Sequence, residues 1–172
     1  MIIRPVRKTD VADILEIYTP YITDTVITFE TDVPTIEEFT ERVEGIKSEY
    51  PYLVCEIDGK VVGYAYASKH HQRSAYKYSV DVSIYIKPNY QGKGFGKVLY
   101  ASLFERLKEY NYYTAYARIT LPNDRSIALH KSFGFIEVGI CHNTGYKNDR
   151  WLDVIWLEKQ LKEYELPPRE DK

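Results

Sequence analysis

A glycine-rich run, Gln91-Gly92-Lys93-Gly94-Phe95-Gly96, joins a stretch of alternating residues to a stretch of helical periodicity. The alternating stretch, Tyr78 to Lys87, is closed by Pro88-Asn89 and predicts a strand. Lys97 to Lys108 repeats apolar residues at helical spacing. Strand, glycine loop and helix N-terminus together suit an anion. Unpaired backbone N–H groups face the ligand, the helix dipole adds attraction, and glycines let phosphate oxygens reach the backbone. A Walker loop and a dinucleotide fingerprint both require glycine where this chain has Lys97, so both are excluded.

The rest of the composition sets limits. A chain of 172 residues is most simply one domain with a real core. Its 44% hydrophobic and 28% charged residues are ordinary for a globular protein. With 23 basic against 25 acidic residues, charge gives no case for a nucleic-acid or membrane-surface partner. Many of the 17 tyrosines fall in expected strands, where an aromatic body packs and a hydroxyl reaches outward. Cys55 and Cys141 lack metal-ligand spacing and are expected as buried free thiols. Met1 to Arg7 has no long apolar core and no run approaches membrane-spanning length, so a cytoplasmic protein is expected.

Along the chain, Ile2 to Val6 reads as a strand, and Thr9 or Asp10 as the cap of a helix with Val11, Ile14, Leu15 and Tyr18 on its apolar stripe. Thr23 to Val33 is polar and irregular, a candidate substrate rim. A capping box, Thr35-Ile36-Glu37-Glu38, opens a second helix with Ile36, Phe39, Val43 and Ile46 on one face. Tyr52 to Ile57 and Val61 to Ala67 flank Asp58-Gly59 as a hairpin. His70 to Lys77 is a polar loop in which His70 is expected to be exposed. After the glycine loop and its helix come a strand at Tyr113 to Thr120 and a short helix from Pro122-Asn123-Asp124 to Gly134. A last hairpin, Glu137 to Tyr146 with Arg150 to Leu157, turns at Lys147-Asn148-Asp149. The order β-α-α-β-β-β-α-β-α-β-β predicts an α/β fold on a mixed sheet.

Several motifs now combine. Gln91-x-x-Gly94-x-Gly96 is joined by Asn123-x-x-Ser126-x-x-x-His130-x-x-x-Gly134-Phe135. Further segments are Tyr50-Pro51-Tyr52-Leu53-Val54, Gly63-Tyr64-Ala65-Tyr66-Ala67, Arg73-Ser74-Ala75-Tyr76, Leu121-Pro122-Asn123-Asp124, and Gly145-Tyr146-Lys147 followed by Trp151-Leu152-Asp153. Across residues 2 to 160 the chain resembles the phosphinothricin N-acetyltransferase family of the GNAT superfamily. The resemblance implies the GNAT fold, a mostly antiparallel sheet flanked by helices, over residues 1–161; the composition of 162–172, ending Leu166-Pro167-Pro168-Arg169-Glu170-Asp171-Lys172, reads as a frayed or disordered tail. It implies acetyl-CoA as co-substrate, no metal, a homodimer, and direct transfer to the α-amine of a small anionic amino-acid-like substrate such as phosphinothricin or methionine sulfoximine. Acetylation of another amine, or a non-catalytic acyl-CoA-binding module on the same fold, remains open.

Acetyl transfer needs a neutral amine, a polarised carbonyl, a protonated leaving thiolate and an aligned cofactor. Asp81, an acid amid apolar strand residues, is the candidate base. The family has glutamate there, and the shorter aspartate leaves room for a bridging water to relay the proton; a carboxylate paired to a nearby Arg or Lys is the alternative. The resemblance implies that the strand splays and offers backbone groups of Ile84, Tyr85 and Ile86 to the cofactor. It also implies that Gln91, Gly92, Lys93, Gly94, Phe95, Gly96 and Lys97 cradle pyrophosphate and that Asn123 meets the pantetheine arm. His130 stands where the superfamily has a tyrosine acid, and either protonates the thiolate or shapes the pocket. His71, Gln72 and Arg73 match the family's substrate-anion loop, where Arg73 suits a carboxylate or phosphinate; a solvated arginine is the alternative. Phe29 and Glu30 match a segment near the substrate. Lys147 and Trp151 are assigned to the last hairpin or a dimer contact.

Overall fold

In the computed structural model, residues 1–169 are described. Seven strands form one sheet: β1 (Ile2–Pro5), β2 (Tyr52–Ile57), β3 (Lys60–Lys69), β4 (Ser79–Ile86), β5 (Thr114–Thr120), β6 (Ile136–Lys147) and β7 (Arg150–Gln160). The helices are α1 (Val11–Thr23), α2 (Ile36–Glu49), α3 (Phe95–Glu109) and α4 (Asp124–Ser132). This is the element order expected from the sequence. Across the sheet the order is β1-β2-β3-β4-β5-β7-β6, antiparallel except for β4 and β5. Those two strands are parallel because α3 carries the chain from one to the other, as parallel neighbours require.

The helices bury one apolar stripe each. Leu99, Tyr100, Leu103, Phe104 and Leu107 turn α3 onto one face of the sheet, in a core with Val80, Val82, Ala115 and Ala117. On the other face, Ile14, Ile17, Tyr18 and Ile22 of α1 join Phe39 and Val43 of α2 over Tyr52, Val54 and Tyr64. Strand alternation sends neighbouring residues into these two opposite cores. The capping box of α2 forms as expected: Thr35 Oγ1 accepts from Glu38 N–H at 3.2 Å, and Glu38 accepts from Thr35 N–H at 2.8 Å.

Other expectations are corrected. Asp10 holds the N-cap position of α1 but makes no side-chain cap bond; its carboxylate accepts from Arg7 N–H at 2.7 Å and pairs with Arg4, because a 3₁₀ turn precedes the helix. Cys55 is buried but Cys141 is exposed, since β6 is an edge strand with little packed on it. The last turn is Asn148-Asp149, both at positive φ, with Lys147 still in β6. The chain after β7 lies against Tyr113, with Tyr164 stacked on that ring and Arg169 N–H on its hydroxyl. The rest of the expected tail, residues 170–172, lies outside the described residues.

Candidate active site

The site starts where β4 and β5 part. Their pairing runs from Ser79↔Thr114 to Asp81↔Tyr116 and stops, although β4 continues to Ile86 and β5 to Thr120. Lys87 N–H bonds back to Val62 on β3, so odd-numbered residues of β4 spend their backbone groups there. Ile86 turns its amide and carbonyl the other way, and Ile84, two residues back, faces the same gap. Tyr85, also expected to meet the cofactor through its backbone, pairs with Tyr64, and its ring packs on Tyr18 and Tyr21. Strand alternation therefore withdraws Tyr85 backbone groups from the gap.

Beyond the gap lies a groove of about 480 Å³ lined by Ile86, Gln91, Gly92, Gly94, Gly96 and Lys97 against Arg125 and Leu129 of α4. Gly94 is the N-cap of α3 at φ 86°, a left-handed conformation that favours glycine. Its carbonyl takes the N–H groups of Lys97 and Val98, and helix geometry leaves those of Phe95 and Gly96 without a preceding turn. A side-chain carbon added at Gly92 or Gly94 would meet only open space, so a ligand can approach the bare backbone. These features fit a pyrophosphate. Lys93 lies over the Tyr90 ring and Phe95 packs on the core instead of lining the groove. Gln91 is engaged on both sides: its amide donates to Tyr21 Oη at 2.8 Å and its oxygen accepts from Arg125.

At the narrow end of the gap, Val82, Ser83, Ile84, Arg118, Asn123, Ser126 and His130 border a cleft of about 60 Å³. Asn123 caps α4, its Oδ1 accepting from Ser126 N–H at 3.2 Å, so the helix start and the cleft share one residue. His130 is 3% exposed, with Nδ1 2.8 Å from the Ser126 carbonyl and Nε2 3.0 Å from Tyr100 Oη. Nδ1 therefore carries the proton and Nε2 accepts from the tyrosine. Burial pushes the His130 pKa down, which favours the neutral ring and argues against imidazolium as the thiolate acid.

Asp81, 7% exposed, sits at the apex of the gap. One carboxylate oxygen is 2.7 Å from His70 Nδ1 and the other bonds the Arg118 guanidinium. His70 is thus held against the sheet with its side chain 13% exposed, contrary to the expectation of a solvated loop residue. His71, Gln72 and Arg73 remain exposed on the loop and line none of these openings. Glu30 is also turned aside, accepting from Tyr18 Oη at 3.0 Å and Arg42 at 2.6 Å. Phe29 rests on Gly145, where any Cβ would overlap its ring. Sequence analysis missed His70, Arg118, Tyr21 and Arg125. Only Arg118 left a signal, a lone cation in a strand like the lone acid Asp81.

The chain matches the family described as Acetyltransferase (GNAT) domain over residues 3–156. It is 34% identical to a phosphinothricin N-acetyltransferase of Streptomyces viridochromogenes, over 97% of this chain and 91% of that protein. An L-methionine sulfoximine/L-methionine sulfone acetyltransferase of Salmonella typhimurium is 33% identical over 97% and 98%. A crystal structure of a GNAT superfamily phosphinothricin acetyltransferase from Sinorhizobium meliloti, in complex with AcCoA, superposes with TM-score 0.93 at 35% identity, covering 98% of this chain and 93% of that one. Among the described residues no helix is long and apolar enough to cross a membrane.

Proposed function

The chain belongs to the acetyltransferase (GNAT) domain family, and from that premise we propose that it moves the acetyl group of acetyl-CoA to the α-amine of a small anionic amino-acid-like molecule. Phosphinothricin and methionine sulfoximine are the model acceptors, as the names of its relatives suggest. The observation that carries this reading is the parting of β4 from β5 after Asp81, beside a glycine loop at a helix N-terminus. The pantetheine amides take the place of the missing strand along Ile84, and along Ile86 where they displace Tyr21 Oη, and the pyrophosphate lies on the backbone from Gly92 to Gly96.

Transfer is direct, within a ternary complex. Backbone N–H at the gap polarises the acetyl carbonyl, and Asp81 serves as general base, directly or through water. Phe29 forms the acceptor side, joined there by the exposed loop of His71, Gln72 and Arg73 when a homodimer brings it to the site. The enzyme works in the cytoplasm as a homodimer. Exposed Ile136, Val138 and Ile140 on edge strand β6, with Trp151 on β7, support an interface there.

The test is thiol release on mixing acetyl-CoA with a panel of amino acids and analogues. Turnover with phosphinothricin or methionine sulfoximine, exceeding that with uncharged amines, is expected. Turnover restricted to peptide N-termini would replace the acceptor class, and none at all would leave only a cofactor-binding module.

A further inference from the structure

Asp81 does not stand alone. An ionised carboxylate only accepts hydrogen bonds, so the proton between it and His70 belongs to Nδ1, and in the neutral ring the lone pair is on Nε2. The imidazole is wedged in place, stacked on Tyr116 at 4.2 Å between centroids, with Tyr76 and Trp156 at its edges. Among the described residues nothing hydrogen-bonds Nε2. Tyr116 is the strand partner of Asp81 at the last rung before the gap, and Arg118, the other partner of Asp81, lines the cleft itself. The ring thus stands beside Asp81 at the apex of the gap.

We propose that His70 and Asp81 act as one base, in which Nε2 of His70 takes the proton of the acceptor ammonium, directly or through one water. Asp81 fixes the tautomer and steadies the imidazolium, and Arg118 holds the other carboxylate oxygen of Asp81 in place. The inference rests on the acetyl-transfer reading and names the atom at which its proton arrives. An ammonium N–H breaks and Nε2–H forms; the freed lone pair makes the N–C bond. The C–S bond then breaks with its electron pair on sulfur, the second proton leaving nitrogen goes to the thiolate, and the imidazolium returns its proton to water. Imidazole, unlike a carboxylate, ordinarily titrates close to neutral pH, where general-base catalysis is most efficient. The charged and titratable groups facing the ring are Asp81, Arg118 behind it, Tyr76, Tyr116, and Glu158, which pairs with Tyr116 across β7.

His70→Asn tests this, because the amide N–H of asparagine replaces the Nδ1 bond to Asp81 without a titrating nitrogen. Its kcat is expected to fall roughly 10²–10⁴-fold, with the KM for acetyl-CoA unchanged and the acid limb of the wild-type pH profile flattened. A variant with near-normal kcat and the wild-type acid limb overturns the proposal while the active wild-type enzyme upholds acetyl transfer. A wild-type enzyme that acetylates no amine overturns the transfer reading, and the proposal with it. Should the variant fail to fold, ¹⁵N spectra of wild-type histidines decide: His70 protonated on Nδ1 above its titration is expected, and the Nε2–H tautomer overturns the pair.

Discussion

The ammonium nitrogen of Lys147 lies 2.9 Å from the carbonyl oxygen of Thr28, buried between the end of β6 and the segment that follows α1. A second carbonyl, that of Ile22, is 2.7 Å away, and burial lowers the lysine pKa. Together with the seat of Phe29 on Gly145, this bond makes the last hairpin a buttress for the candidate acceptor rim.

Lys147→Met should therefore leave two carbonyls without their donor. Hydrogen bonds to a charged group are worth ~1.5–3 kcal/mol, and a loss of about 2–3 kcal/mol in denaturant midpoint experiments is expected. The KM for the acceptor should rise more than that for acetyl-CoA. Wild-type stability with unchanged kinetics would mean that the rim holds itself.

Gly94→Val tests the loop. At φ 86° a β-branched residue costs ~1–2 kcal/mol, yet open space at the Cβ position spares the fold. Acetyl-CoA should raise the Tm of the wild type and not of the variant. A folded variant with undiminished cofactor affinity would remove the pyrophosphate assignment.

Asp81→Asn should lower turnover ~10²–10⁴-fold with both binding constants nearly intact. Steady-state kinetics near neutral pH is the measurement. Near-normal turnover would remove Asp81 from proton transfer, whether as the base itself or as the partner of His70.

Arg73→Ala separates two roles for an exposed loop arginine. If a homodimer brings Arg73 to an acceptor anion, the loss of a charged hydrogen bond raises KM roughly ten- to a hundredfold for anionic acceptors alone. Equal effects on uncharged amines would make the residue structural.

The buried His130 should also show in stability. Its folded pKa lies below the ordinary value of 6.5, so between the two the unfolded chain binds more protons. This contribution is fully present above about pH 6.5 and fades as pH falls from there toward the folded value. His130→Gln should flatten that part of the pH dependence of unfolding. An unchanged slope would mean that other groups cause it.

The order of strands and helices, the Thr35–Glu38 capping box and the glycine loop were legible in the sequence because each is a local pattern. Periodicity is set by neighbours within a turn or a rung, and a left-handed cap needs a glycine wherever it occurs. Asp81 was legible for the same reason, an acid breaking an apolar alternation. Its partners were not: His70 is 11 residues away and Arg118 is 37, and they meet it only through the register of β3, β4 and β5. Register also decided which backbone groups face the gap, withdrawing those of Tyr85 and leaving Ile84 and Ile86. Lys147 reaches Ile22 across 125 residues, a bond made by hairpin length and helix placement together. Residue types and local order came from the sequence by itself. Which atoms face each other was decided by the tertiary structure, because contacts across a sheet follow from pairing and packing that no single segment encodes.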